Sequence, residues 1–164
     1  MTPREQFEKF LAKYEPGIIA QAKKALGKMR KLTPGAVELV YDNYNALVVG
    51  FGPSERASEA VFSVVLYPRY IGLCFLYGKN LPDPAKRLQG KGNQLRWIRL
   101  ESPATLDEPE VLELINVALN RTKVAIDPKQ KRRMVIRSIS TKQRPRRSSK
   151  ASGGRGAKIR KGRS

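Results

Sequence analysis

The chain contains no histidine and only one cysteine, Cys74, among its 164 residues. The absence of histidine excludes Ser-His-Asp and Cys-His catalysis and every metal site that needs an imidazole ligand. A single cysteine can form neither an intramolecular disulfide nor a thiolate-bound metal cluster. No pair of carboxylates stands out as a general acid and base. We therefore predict a protein that is not an enzyme and that carries no cofactor.

Long apolar runs are also absent. The longest lie around residues 60–66 and 71–77 and have the length of strands, far below the about 20 residues that a membrane helix needs. The N-terminus is polar and begins no apolar run, so no signal peptide is expected. These features predict a soluble, cytoplasmic protein with no membrane partner.

Acidic residues are scarce, with 14 Asp and Glu against 33 Lys and Arg, and the formal net charge is +19. The excess is uneven, because residues 127–164 hold 15 of the Lys and Arg residues, one acid and no aromatic residue. From residue 140 onward the composition is too polar to bury a core. The sequence therefore predicts a mildly basic domain over residues 1–125 and a basic, largely disordered tail over residues 126–164.

Helix signals lie at both ends of the predicted domain. Thr2 and Glu5 have the spacing of a capping box before an apolar stripe of helical period. Pro16 begins a second helix. Residues 33–41 suggest a short third helix, and residues 107–123 predict a last one with acids at its N-terminal end.

Apolar runs with turn residues between them predict four strands, at residues 46–51, 60–67, 70–77 and 95–100. Residues 134–139 are a candidate for one further short element. Because the strands are segregated from the helices, the predicted fold is α+β, with the helices packed on one face of an antiparallel four-to-five-stranded sheet.

Several runs resemble one known family. They are GAVELVYDNYNAL at 35–47, VVLYP at 64–68, GKNLPDP at 78–84 and GKG at 90–92. Together they are similar to the YdhG-like family, small domains of largely unknown function whose fold is similar to frataxin. The resemblance implies a frataxin-like α/β sandwich. Some relatives are described as iron chaperones for iron–sulfur cluster assembly, which implies this as an alternative function here.

The basic clusters of the predicted tail are candidate phosphate contacts. Such side chains neutralise phosphates and release counterions. Without aromatic residues the tail cannot stack on bases, so we predict association with nucleic acid or another polyanion that is not sequence-specific. The alternative is a tail that only confers solubility. The candidate residues are Lys131, Arg132, Arg133, Arg144, Arg146 and Arg147.

Two further groups are candidates for binding a small anionic ligand or a protein. Glycines and cations in the loop 78–93 could approach a phosphate, and the candidate residues there are Lys79, Lys91 and Arg96. The loop lacks the P-loop pattern, and its alternative interpretation is an exposed connector.

The second group, Tyr41, Asp42, Asn43 and Tyr44, could line a pocket, or it could form only a turn. Cys74 is expected to be buried and unreactive. Trp97 is expected to be packed or half-buried, with an exposed stacking platform as the alternative. The leading hypothesis is a non-enzymatic binding protein. An enzyme with an anion pocket around Lys79, Arg96 and Tyr44 is a further alternative.

Overall fold

The computed structural model describes residues 1–147, which form three α-helices and a six-stranded sheet. The helices are α1 (Pro3–Leu11), α2 (Pro16–Leu32) and α3 (Pro109–Asn120). The strands are β1 (Val37–Asp42), β2 (Leu47–Gly52), β3 (Phe62–Leu66), β4 (Ile71–Phe75), β5 (Arg96–Leu100) and β6 (Arg133–Ile139). The predicted α+β class is confirmed.

The helices begin where the local signals predict. The Thr2 hydroxyl accepts a hydrogen bond from the Glu5 amide at 3.1 Å, and the Glu5 carboxylate accepts one from the Thr2 amide at 2.8 Å. This completes the predicted capping box. Pro16 and Pro109 occupy the first turns of α2 and α3, where a missing amide proton costs nothing. The last helix, predicted at residues 107–123, is shorter than expected: a 3-10 turn at Pro103–Asp107 precedes it, and it ends at Asn120.

The sheet is mixed, which corrects the prediction of a purely antiparallel sheet of four to five strands. Its order is β5-β4-β3-β2-β1-β6, and β6 pairs parallel to β1 while the other pairs are antiparallel. The short helix predicted at residues 33–41 is wrong, because β1 is a strand. Five of the six β1 residues are buried, including Glu38 and Asp42, so its polar residues do not mark a solvent-facing side.

One face of the sheet carries all three helices. Val40, Val49, Val64, Leu73 and Ile98 lie opposite one another on five neighbouring strands, and all are buried. The buried side chains of the three helices belong to the same hydrophobic cluster. Alternate residues of the same strands therefore point to the opposite face, which carries no helix.

Residues 126–147 belong to the domain, which corrects the boundary at residue 125 and the disordered tail predicted from residue 126. The strand β6 extends the sheet, and its Met134 and Ile136 pack against the core. Gln130 donates hydrogen bonds to the carbonyls of Gly35 at 2.7 Å and Pro53 at 3.2 Å. The basic composition of this segment predicted a disordered tail. Its arginines can nevertheless pack against the domain, because acids far away in sequence neutralise Arg132 and Arg146. The rest of the predicted tail, residues 148–164, lies outside the described residues.

Among residues 1–147, none of the helices has the length and apolar content that crossing a bilayer requires.

Candidate nucleic-acid interface

The face of the sheet without helices is floored by small side chains. In the register of the strands, Gly50 of β2 lies opposite Ser63 of β3, Ser63 opposite Cys74 of β4, and Cys74 opposite Trp97 of β5. Gly72 of β4 lies in the next row and faces the same way. Small residues along the middle of a sheet face leave room between larger side chains at its edges, and here they form the floor of a concave surface.

Two adjoining cavities of about 640 and 700 Å³ occupy this face. They share Asn45, Tyr67 and Tyr70, so they form one continuous depression, which we call the open-face groove. Four aromatic side chains line the groove: Tyr44, Tyr67, Tyr70 and Trp97.

The tyrosines are brought together by the β3–β4 hairpin. The amide of Tyr67 donates to the carbonyl of Tyr70 at 2.9 Å across a turn made by Pro68 and Arg69. The two tyrosine rings stack with centroids 4.7 Å apart and an angle of 23° between their planes. Each ring is half-buried, so the pair is held in place and still presents aromatic surface.

Arginines border the aromatic side chains. The Arg99 guanidinium lies 4.8 Å from the centre of the Tyr70 ring, and that of Arg144 lies 5.7 Å from the centre of the Tyr44 ring. Arg69 and Arg147 line the outer part of the groove, and none of the residues lining the groove is acidic. Arg147 lies 3.5 Å from Glu15 in an exposed ion pair, and such pairs are weak. The groove is therefore aromatic with a positive rim.

A C-terminal strap, residues 140–147, positions Arg144 and Arg147 at the groove. The amide of Ser140 donates to the Asp42 carbonyl at 2.8 Å, and that of Arg144 donates to the Tyr44 carbonyl at 2.9 Å. Arg146 lies between the two groove arginines but points inward, where it is 4% exposed. Arg146 thus anchors the strap, and Arg144 and Arg147 point outward to the groove.

Asp42 holds the anchor of the strap. Its carboxylate, which is fully buried, accepts hydrogen bonds from Arg146 at 2.9 Å and from Lys13 of α1 at 2.8 Å. Burial by itself raises the pKa of the Asp42 carboxyl, but the hydrogen bonds from Lys13, Gln143 and Arg146 outweigh burial and leave that pKa below its usual value. Asp42 therefore stays ionised and joins α1, β1 and the strap.

The structure divides the predicted group at Tyr41, Asp42, Asn43 and Tyr44. Tyr41 and Asp42 end β1, and Asn43 and Tyr44 enter the β1–β2 turn, where the Asn43 amide donates to the Ala46 carbonyl at 3.0 Å. The turn interpretation therefore holds for Asn43 and Tyr44 only. Asn43 and Tyr44 also line the groove, which supports the pocket interpretation for these two. Asp42 faces the helices instead, and Tyr41 is half-buried outside the cavities.

The predicted anion loop does not contribute to the groove. Lys79 and Lys91 are exposed, and none of the predicted loop residues lines either groove cavity. The Arg96 guanidinium, at the start of β5, donates to the carbonyls of Gly92 and Leu95, each at 2.8 Å, so it fixes the end of the preceding loop. This geometry favours the connector interpretation.

The cations predicted to contact nucleic acid differ in what they do. Arg132 donates to the buried carboxylate of Glu38 at 3.2 Å and to the Arg30 carbonyl at 2.7 Å. Arg132 and Arg146 are thus committed to internal partners, which corrects their assignment as phosphate contacts. Arg133 lies 3.3 Å from Glu55 in an exposed pair, and Lys131 is exposed away from the groove cavities. Arg144 and Arg147 remain as candidate phosphate contacts.

Sequence reasoning missed Tyr67, Tyr70 and Arg99. The available signal was the run Tyr-Pro-Arg-Tyr at 67–70, in which two tyrosines flank a tight turn, together with the outward-facing Trp97 and Arg99 of β5. Trp97 is half-buried, as expected. Cys74 lies on the groove floor and is half-buried, not fully buried as expected. This burial raises the pKa of its thiol to about 11, and its low reactivity stays a prediction.

Residues 1–147 contain no group of three or more His, Cys, Asp or Glu residues that could hold a metal ion.

Comparison with known proteins found no matching family model, no matching curated protein and no matching solved structure.

Proposed function

We propose that the protein binds single-stranded nucleic acid in the open-face groove. The observation that carries the proposal is the presence of four aromatic side chains and four arginines on one helix-free face, with no acidic residue lining it. The aromatic rings stack on bases and the arginines neutralise phosphates, which is how proteins bind single strands without sequence preference.

The geometry favours a single strand over a duplex. Stacking on Tyr67, Tyr70 or Trp97 requires a base whose flat face is free, and in a duplex that face is covered by the neighbouring base pairs. The cations lie only at the rim, and the floor consists of apolar or small side chains. The groove therefore offers few positive charges to the two phosphate backbones of a duplex. The strand would therefore lie with its bases toward the floor and its phosphates toward Arg69, Arg144 and Arg147.

The proposed partner is still a polyanion, as predicted, but it binds to the open face of the sheet and not to the C-terminal segment alone. Base stacking, which the aromatic-free C-terminal sequence cannot provide, comes from the sheet. The segment 148–164 contains six Lys and Arg residues and no acid. It follows directly after Arg147 at the rim, so its charges would add a salt-sensitive contribution to the affinity.

Titration with short homopolymeric oligonucleotides tests the proposal. Trp97 is the only tryptophan, so its fluorescence reports groove occupancy directly. Poly-dT and poly-rU oligonucleotides should change Trp97 fluorescence saturably, and a duplex of equal length should bind more weakly. Truncating Tyr70 or Tyr67 to alanine should weaken binding by about 1–3 kcal/mol per stacked base.

A variant that fills the groove distinguishes binding in the groove from binding caused by the net positive charge alone. A Cβ built on Gly72 has only the Ile98 carbonyl as a neighbour, at 3.7 Å. Gly72→Ile therefore meets no clash at its Cβ, and its outer side-chain atoms should extend into the groove while every charge is retained. Arg144→Gln should weaken binding, and Arg121→Gln on the opposite side of the sheet serves as its charge-matched control. Unchanged affinity in both Gly72→Ile and Tyr70→Ala would refute the proposal.

A further inference from the structure

A second cavity lies on the helix side of the molecule. It has a volume of about 560 Å³ and lies where β3 begins and β4 ends, beside the C-terminal end of α3. This volume is in the range of cavities that hold small organic ligands. None of its lining residues belongs to the open-face groove. We call it the α3-end pocket.

The inner wall of the α3-end pocket is apolar. Val61, Phe75, Leu81 and Ala118 line it and are each at least 91% buried. Tyr77 and Val124 stand at its mouth, where they are 52% and 45% exposed, so two of the large exposed apolar side chains of the domain flank one opening. The Tyr77 hydroxyl donates to the Ser58 carbonyl, which fixes its ring. An apolar ligand group would replace water over this surface.

Two cations at the mouth define the charge of the ligand. Arg121 and Lys123 line the pocket, and neither forms an ion pair within residues 1–147. Arg121 donates one hydrogen bond to the neutral carbonyl of Asn80 at 2.8 Å, and a guanidinium has four further N–H donors. The only acid lining the pocket, Glu59, accepts a hydrogen bond from the Ser54 hydroxyl at 2.6 Å. The mouth therefore has a net positive charge next to an apolar interior.

We propose that the α3-end pocket binds a small amphipathic carboxylate, with an apolar chain or ring inside and its carboxylate at Arg121 and Lys123. A guanidinium matches a carboxylate with two parallel hydrogen bonds. The apolar wall contributes most of the affinity, and the two cations select the anion over a neutral molecule of the same shape. This site is independent of the nucleic-acid proposal, because the two share no residue.

Calorimetric titration of the full chain with decanoate, compared with decanol, tests the pocket. Decanoate should bind saturably with a stoichiometry of one. The double variant Arg121→Gln/Lys123→Gln should weaken decanoate at least tenfold and leave decanol unchanged. Lys86→Gln/Lys91→Gln, which removes the same charge from an exposed loop, should change neither ligand by more than about twofold. Absence of saturable binding, or equal losses in both double variants, would overturn the proposal, because net charge alone would then explain any binding.

A shape variant and a spectroscopic measurement complete the test. Ala118→Phe should fill the pocket and abolish binding of both ligands, while oligonucleotide binding at the groove is retained. If that variant does not fold, methyl NMR of the unmodified chain replaces it. Decanoate should then shift the methyl signals of Val61, Ala118 and Val124 and leave those of Val48 and Val65 on the groove floor unchanged. Shifts confined to the groove methyls would refute the assignment.

Discussion

Asp42 is the residue that ties the C-terminal strap to the first helix. Replacing it with asparagine removes the charge that compensates Arg146, which is itself 4% exposed. Breaking a buried pair from one side leaves an uncompensated charge, so Asp42→Asn should lower the free energy of unfolding by about 3–5 kcal/mol. Urea denaturation at pH 7 measures this. Asp107→Asn is the control, because it removes an exposed partner of Lys28 and should cost less than about 1 kcal/mol.

The same carboxylate predicts how stability depends on pH. The pKa of Asp42 is lower in the folded protein than in the unfolded chain, where it is about 3.9. Its contribution is therefore complete above that value and is lost as pH falls through the folded pKa. The free energy of unfolding of the natural chain should drop as pH is lowered below about 5, and the drop should be smaller for Asp42→Asn. Parallel curves for the two proteins would contradict this.

Cys74 should be slow to react at ordinary pH. Burial raises the pKa of its thiol to about 11, and the thiolate is the reactive species. The rate of alkylation by iodoacetamide should keep increasing beyond pH 10, whereas that of an unperturbed thiol levels off above about pH 8.5. A plateau near pH 9 would mean that burial does not shield the Cys74 thiol. An oligonucleotide in the groove should slow the reaction further.

At the scale of elements, two glycines should respond in opposite directions to alanine. Gly35 has φ of +84°, and a Cβ there would lie 2.0 Å from the Asp127 carbonyl oxygen. Gly35→Ala should destabilise by about 1–2 kcal/mol from the backbone alone, and the clash with the segment leading to β6 adds to this. Gly27 in α2 has open space around its Cβ position, so Gly27→Ala should stabilise by about 0.5–1 kcal/mol. Thermal unfolding of both variants compares them directly.

The elements that the sequence predicted are those whose signals are local. The capping box at Thr2 identified the start of α1 to the residue, and the apolar run at residues 70–77 identified β4. By contrast, the helix predicted at residues 33–41 rested on a local signal, Thr33-Pro34 followed by Val37 and Val40 at helical spacing. The strand found there depends on distant partners, because its buried acids Glu38 and Asp42 pair with Arg132 and Arg146 about a hundred residues later. No window of neighbouring residues contains that information.

The candidate site was predictable only in its parts. Tyr44, Arg144 and Arg147 were singled out from the sequence, but as members of two unrelated groups. Only the pairing of strands brings them to the hairpin that carries Tyr67 and Tyr70. The sequence could not distinguish Arg146 from Arg144 and Arg147. They differ only in direction, because the backbone of the strap turns Arg146 inward and the other two outward.

At the scale of the whole molecule, charge and shape make separable contributions to binding. All 14 acids and all but six of the 33 cations lie in residues 1–147, so a chain ending at Arg147 keeps a net charge of +13. This chain should fold and should keep the Trp97 fluorescence change with oligonucleotides. Its affinity should depend less on salt, with the slope of log affinity against log salt reduced by at most about 4, since single strands contribute about −0.7 per neutralised phosphate.

A chain ending at residue 125 is the contrasting case. It lacks β6, Gln130, Arg132 and Arg146, and it leaves the acids Glu38 and Asp42 without these arginines. It should be unfolded or much less stable by circular dichroism. If instead it folded as well as the chain ending at Arg147, the assignment of residues 126–147 to the domain would be wrong.

Strands β2 to β5 serve two purposes with alternating residues, one set facing the helices and the other facing the groove. Substitutions at Val48, Ser63 or Gly72 therefore alter the groove while the side chains that pack the interior stay as they are. Ligand preference in this domain can consequently drift, or be re-engineered, at a small set of positions whose changes are nearly neutral for folding.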